Sequence, residues 1–271
     1  MQQNNDNWMP LESNPEVINP FIAKMGLKTE NYCFQEMLGL EDWAMEMIPQ
    51  PVLGVMFLYQ CTPVQVAFKN TQADQLDPTA VPNEIFYMKQ FAQNACGTIA
   101  LFHIILNSMP NHADMVTPNS YLTKFLAEAQ TQAPEDRGKT FEKNEEIKTE
   151  HKGASQQGQT AAQSDADSHF IAFIPHNGRL WELDGMKKCP VNMGPCSQEE
   201  FLPKACEEVK KYMQRDPDNL NFSTIVLAKT PQWLMCLNSI SCLFAKKRVS
   251  LMTGEYIFYS VLFYNLQIDS L

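Results

Sequence analysis

The pair Asn177-Gly178 stands between two apolar stretches, His169-Phe-Ile-Ala-Phe-Ile-Pro175 and Arg179-Leu-Trp-Glu-Leu-Asp184, and restricts the fold more tightly than any other feature. Both central residues of a type I′ turn need positive φ, which asparagine and glycine tolerate, so the pair predicts a two-residue β-hairpin. His176 then lies opposite Arg179, and counting back along an antiparallel ladder sets Ile171 opposite Asp184. His169 is two residues from Ile171, so it shares a face with Asp184 and sits diagonal to it. A register slip of one residue would send the two side chains to opposite faces.

The open end of this hairpin therefore offers chemistry. Asp184 can accept the ring N–H of His169, fix its tautomer and stabilise imidazolium, which leaves the second ring nitrogen for a thiol proton. Taken singly, the two residues also fit a strand-initial surface histidine and an Asp-Gly turn. The thiol comes from the run Met88-Lys-Gln-Phe-Ala-Gln-Asn-Ala-Cys96-Gly-Thr-Ile-Ala-Leu-Phe-His103, where a polar loop becomes an apolar helix. Unpaired N–H groups and the macrodipole at a helix start stabilise a thiolate, the reactive form. A cysteine there also serves as a small hydrophobe. Upstream, the Gln90 side-chain NH2 and the Cys96 backbone N–H are two donors for the oxygen of a tetrahedral intermediate. A surface amide is the alternative for Gln90.

Around these residues the pattern mixes helices and strands. Ser13 or Asn14 caps a short amphipathic helix that begins at Pro15 and stops at Gly26. The run Val52-Leu-Gly-Val-Met-Phe-Leu-Tyr59 predicts a central strand covered on both faces. Helical spacing recurs over 120–130 and 199–214, and Phe222–Ala228 reads as a strand. The stretch from Lys69 to Asn83 is polar. From Lys148 to Ser168 almost nothing is apolar, which predicts a long loop. Of the other histidines, His103 falls on an apolar helix and reads as a core residue, His112 and His151 fall in polar loops, and His176 sits at the turn.

A 44% hydrophobic content over 271 residues suits one large domain with an appendage. The net charge of -10 argues against nucleic acid or an anionic membrane surface as the main partner. None of the eight cysteines forms a C-x-x-C pair and no histidine is spaced near them as a ligand, so no metal or other cofactor is expected. The polar start lacks the features of a secretory signal, which with free thiols points to the cytosol or nucleus. Two apolar runs after Pro231, Gln232–Leu237 and Tyr256–Tyr264, are each shorter than the ~20 residues that a spanning helix needs.

The series Tyr-Met-Lys-Gln90-x-x-x-Asn94-Ala-Cys96-Gly-Thr-Ile, then His169-Phe-Ile and Glu-Leu-Asp184-Gly, closely resembles the ubiquitin carboxyl-terminal hydrolases. The likeness runs from about residue 8 to 229 and includes Pro10-Leu-Glu-Ser-Asn-Pro-Glu-Val17 and Met213-Gln-Arg-Asp-Pro-Asp218, which look like the short L-type isozymes. It implies an α/β (α+β) papain-like fold: an antiparallel central sheet flanked by helices, a knotted backbone and a loop crossing the active site near 148–168. It also implies a catalytic domain over 5–230, with Cys96 as nucleophile, His169 as general base and acid, Asp184 as orienting carboxylate and Gln90 as oxyanion donor. Pro10, Leu11, Glu12 and Asn94 would contact the substrate. The implied activity removes small adducts or short peptides from the C-terminal glycine of ubiquitin, or of a ubiquitin-like modifier, in a monomer without cofactor. Ala100 departs from a glycine common in the family, and residues 231–271 have no counterpart in the short isozymes. Two other readings stay open: a ubiquitin-binding module with little turnover, and membrane attachment through the tail.

Overall fold

The computed structural model describes residues 8–158 and 167–231. The contacts divide the chain after Thr230, and the fold below belongs to the first unit. Among the described residues the helices are α1 (Pro15–Met25), α2 (Asp42–Glu46), α3 (Pro63–Ala73), α4 (Cys96–Ser108), α5 (Tyr121–Ala129), α6 (Pro134–Glu142), α7 (Glu145–Ser155) and α8 (Phe201–Arg215). The strands are β1 (Tyr32–Glu36), β2 (Val52–Gln60), β3 (Ser168–His176), β4 (Arg179–Leu183), β5 (Val191–Pro195) and β6 (Phe222–Lys229). They form one sheet in the order β1-β6-β2-β3-β4-β5, and every pairing is antiparallel.

Side chains alternate across a strand, so a sheet covered on both faces needs apolar residues at every position. β2 and β3 sit at the centre and meet that demand. Met56, Phe170 and Ala172 face a core shared with α1, α4 and α5, while Val55, Phe57, Ile171 and Phe173 face a second core against α8. The β3–β4 hairpin has the expected register: His176 pairs with Arg179 and Ala172 with Leu183. Asn177 and Gly178 both take positive φ at its turn, 49° and 72°.

The first helix follows its sequence signals. Asn14 accepts a hydrogen bond from the Glu16 N–H at 2.8 Å, Pro15 opens the helix, and Gly26 ends it at φ 114°. A side chain at Gly26 would be excluded twice, since an added Cβ would also lie 2.2 Å from the Ser120 Cβ.

One expectation changes. Residues 148–155 are helical, the greater part of α7: the Asn144 side chain accepts from the N–H groups of Glu146 and Ile147, and Ile147, His151 and Ala154 line one buried face. The composition there is polar, but its few apolar residues recur at i, i+4 and i+7, which suffices for a one-sided helix. The polar stretch from Lys69 opens as helix: Lys69–Ala73 is the end of α3. Of the expected crossing loop, residues 159–166 lie outside the described residues, as does the tail from 232 to 271.

Candidate active site

Cys96 is the first residue of α4, and its side chain lies over the sheet against β3. Two features bring the thiol to the hairpin. Gly97 allows close approach: an added Cβ would sit 3.1 Å from the Leu11 Cβ and 3.2 Å from the Phe170 ring. Asn94, just before the helix, adopts φ 62°, a left-handed conformation that asparagine accepts more readily than most residues. Its side-chain NH2 donates to the Trp8 carbonyl at 3.0 Å, which ties the N-terminal segment to the loop that delivers Cys96.

On the hairpin, His169 Nε2 lies 2.7 Å from Asp184 Oδ1, and both side chains are almost completely buried. The expected shared face is realised. Asp184 is itself held in place. Its Oδ1 accepts the Met186 N–H at 2.9 Å, and the Tyr87 hydroxyl donates to its carbonyl at 2.8 Å. With Nε2 committed to Asp184, the Nδ1 of His169 is left for Cys96.

The electrostatics favour charge on all three. Burial opposes a charge on Cys96, but the hydrogen bond and positive charge of His169, with the N–H groups of Phe170 and Gly97, prevail and bring the thiol below its ordinary range. Burial likewise opposes imidazolium, but Asp184 and then Cys96 push His169 up to about 9. Asp184 is held well below the usual carboxylate range: burial works against its charge, and His169, Lys69 and Lys187 overcome it. The set is therefore suited to a thiolate–imidazolium pair.

Gln90 lies beside the Asp184-Gly185 turn, its backbone N–H donating to the Gly185 carbonyl at 2.8 Å. Its side-chain NH2 donates to the Ala92 carbonyl at 3.1 Å, which leaves one of its two amide hydrogens unspent. In the N-terminal segment, Pro10 and Glu12 are partly exposed. Leu11 is 4% exposed and packs over Gly97.

Two residues near the site escaped the sequence reading. Lys69, on α3, places its ammonium 2.8 Å from Asp184 Oδ2. His151 was expected in a loop but is 1% exposed on α7. Its Nδ1 lies 2.7 Å from the Thr98 hydroxyl and its Nε2 lies 2.6 Å from the Met9 carbonyl, so the neutral ring accepts from one and donates to the other. It thus joins α7, the first turn of α4 and the N-terminal segment. The signal for it was the Ile147–His151–Ala154 spacing.

His151 and His103 also give the fold an acid limit. Burial lowers His151 to about 4 and His103 to about 3, against 6.5 in the unfolded chain. Between pH 6.5 and 4 the unfolded state binds two protons that the folded state does not, so stability falls as pH falls, by about 1.4 kcal/mol per unit for each histidine. His169 is protonated in both states across this window and adds nothing to the slope. Urea midpoints measured from pH 4.5 to 6.5 should rise steadily. His151→Gln should be less stable at pH 7 and show about half that slope.

A buried thiol at a helix start, next to an imidazole that a carboxylate holds, is the equipment of a cysteine hydrolase. The comparisons agree. The family model described as "Ubiquitin carboxyl-terminal hydrolase, family 1" matches residues 8–214. The chain is 36% identical over 229 residues to a ubiquitin carboxyl-terminal hydrolase of Drosophila melanogaster, covering 83% of this chain and 99% of the relative. It is 34% identical over 220 residues to isozyme L1 of Rattus norvegicus, covering 81% and 97%. Its fold matches the Trichinella spiralis UCH37 catalytic domain, solved bound to ubiquitin vinyl methyl ester, with a TM-score of 0.66 at 21% identity, over 82% of this chain and 95% of that one. The chain belongs to the ubiquitin carboxyl-terminal hydrolases of family 1, which are cysteine-type deubiquitinating enzymes.

Proposed function

We propose that this chain binds ubiquitin and hydrolyses the bond after its C-terminal glycine, with Cys96, His169, Asp184 and Gln90 as the reacting set. The observation that carries the proposal is the continuous line from the Cys96 thiol through His169 to Asp184, closed by the 2.7 Å bond. The ubiquitin-derived probe bound to the Trichinella spiralis relatives supports the choice of substrate.

In the reaction the Cys96 thiolate attacks the glycine carbonyl carbon. The carbonyl oxygen becomes an oxyanion that takes hydrogen bonds from the Cys96 backbone N–H and the spare amide hydrogen of Gln90. Collapse of this intermediate breaks the bond to the leaving group, and imidazolium at His169 gives the departing amine or alkoxide its proton. A thioester remains. His169, now neutral, takes a proton from water, whose oxygen attacks the thioester; ubiquitin leaves as its carboxylic acid, which gives the other water proton to solvent, and the Cys96 thiolate returns beside imidazolium. Asp184 keeps Nε2 protonated throughout, so Nδ1 is the nitrogen that exchanges protons.

Small adducts and short peptides are the leaving groups in this reading, and a related modifier is a second acyl donor. Residues 5–230 make the catalytic unit, acting as a monomer in the cytosol or nucleus. The free state of the six cysteines among the described residues supports a reducing compartment. Initial rates with one fluorophore on the C-terminus of ubiquitin or of a close modifier, and with ubiquitin fused to a folded domain, test this reading. Fast fluorophore release and poor cleavage of the folded fusion are expected. Tight ubiquitin binding with no release of the fluorophore would favour a ubiquitin-holding module instead.

A further inference from the structure

Asp184 has two carboxylate oxygens, and only one is used by His169. The other, Oδ2, is buried and receives no directed hydrogen bond; what it meets is the Lys69 ammonium at 2.8 Å, an electrostatic contact. Lys69 is 21% exposed in its side chain, while Asp184 is fully covered, so the attraction is only partly screened by water. Four groups from four elements thus alternate in charge: Lys69 on α3, Asp184 after β4, His169 on β3 and Cys96 on α4.

Of the remaining polar neighbours, Lys187 also favours the charged Asp184, but more weakly than Lys69. After β4, the Lys187 ammonium is already paired with Glu182 and Gln72, and Glu182 also accepts from the Tyr212 hydroxyl on α8. On β2, Tyr59 pairs across the sheet with His169, their rings 5.9 Å apart, and burial keeps its phenol neutral. Tyr87 is neutral for the same reason. Beyond the strand ends, Cys61 is exposed, with its thiol raised by burial of part of the side chain, and Asp167 precedes β3.

We infer that Lys69 is a positioning residue that sets the working pH of the Cys96–His169 pair by offsetting part of the negative charge of Asp184. The inference rests on the reacting set assigned above. An unopposed buried carboxylate binds imidazolium so strongly that His169 becomes a reluctant proton donor to the leaving group. With Lys69 in place, Asp184 still orients the ring but exerts less pull on its proton. The same cation favours the Cys96 thiolate, at longer range.

Removing a positive charge makes every nearby group hold its proton to higher pH. For Lys69→Met both limbs of the pH profile should therefore move up together. A shift of about half to one pH unit is expected, less than the 1–3 units of a directly contacting charge because Asp184 lies between. Lys69→Arg restores the cation and should bring the limbs back.

The test is the pH dependence of Cys96 alkylation by chloroacetamide in the full-length protein, with peptide mapping to separate Cys96 from the exposed Cys61. The reaction needs no ubiquitin, so its result is independent of whether the chain hydrolyses ubiquitin conjugates. Circular dichroism melts report whether each variant is folded. An upward shift in folded Lys69→Met, reversed in Lys69→Arg, is the expected result. A slower alkylation with unmoved limbs would show a merely structural role and overturn the inference.

Discussion

Replacing Cys96 by alanine should lower turnover of a ubiquitin C-terminal fluorophore substrate by about 10⁶-fold, the loss typical of removing a nucleophile from a set that acts as a unit. The fold should survive. Cys96 is 9% exposed at the first turn of α4, where alanine is a good helix former and the thiol is the only group lost. The substitution also removes a buried partner of His169, whose proton is then held by Asp184 alone. Ubiquitin affinity, measured by titration calorimetry, should change by less than about tenfold, because in the proposed reading the partner is held by Pro10, Leu11, Glu12 and Asn94 and not by the thiol. A variant that keeps even a few per cent of wild-type turnover would remove Cys96 from the chemistry.

The second large effect comes from Asp184→Asn. An amide keeps the shape and can still accept the ring N–H, but it carries no charge. It also leaves Lys69 facing a neutral group at 2.8 Å and takes away the main force that holds His169 up to about 9. Two consequences follow. kcat/KM should fall by about 10²–10⁴-fold, the upper figure being that of a misoriented or wrongly protonated imidazole. The alkaline limb of the pH profile should move down toward the ordinary histidine range of about 6.5, opposite in direction to the movement expected for Lys69→Met. Stopped-flow rates from pH 5 to 10 for the two variants decide this, since a non-specific loss of structure would move neither limb. The melting temperature of Asp184→Asn should also drop, because Lys69 loses its partner and the Met186 N–H loses an anionic acceptor.

The sequence disclosed the hairpin of the proposed reacting set because its information is local. Asn177-Gly178 sets the turn, the turn sets the register, and the register sets the shared face of His169 and Asp184. The helix start at Cys96 was legible for the same reason. The neighbours that tune the site were not. Lys69 reaches Asp184 from 115 residues away, on a helix whose buried face is sparse: Gln65 is its only fully buried residue. Its last turn therefore reads only as the start of a polar stretch. His151 was hidden by composition, since one apolar stripe on a helix rich in Lys, Glu and Thr leaves a low average hydrophobicity. Leu11 shows a further limit. The family resemblance implied a contact there, and the packing of Leu11 over Gly97 is a feature that only three dimensions reveal.

The reading of Cys96 as the acyl acceptor for ubiquitin is tested most directly by a ubiquitin probe with an electrophilic C-terminus. After incubation with ubiquitin vinyl methyl ester, intact mass spectrometry should show one added ubiquitin per chain, and peptide mapping should place it on Cys96. No adduct should form with Cys96→Ala. An unlabelled wild-type chain, or an adduct on another cysteine such as Cys61 that persists in Cys96→Ala, would contradict the account.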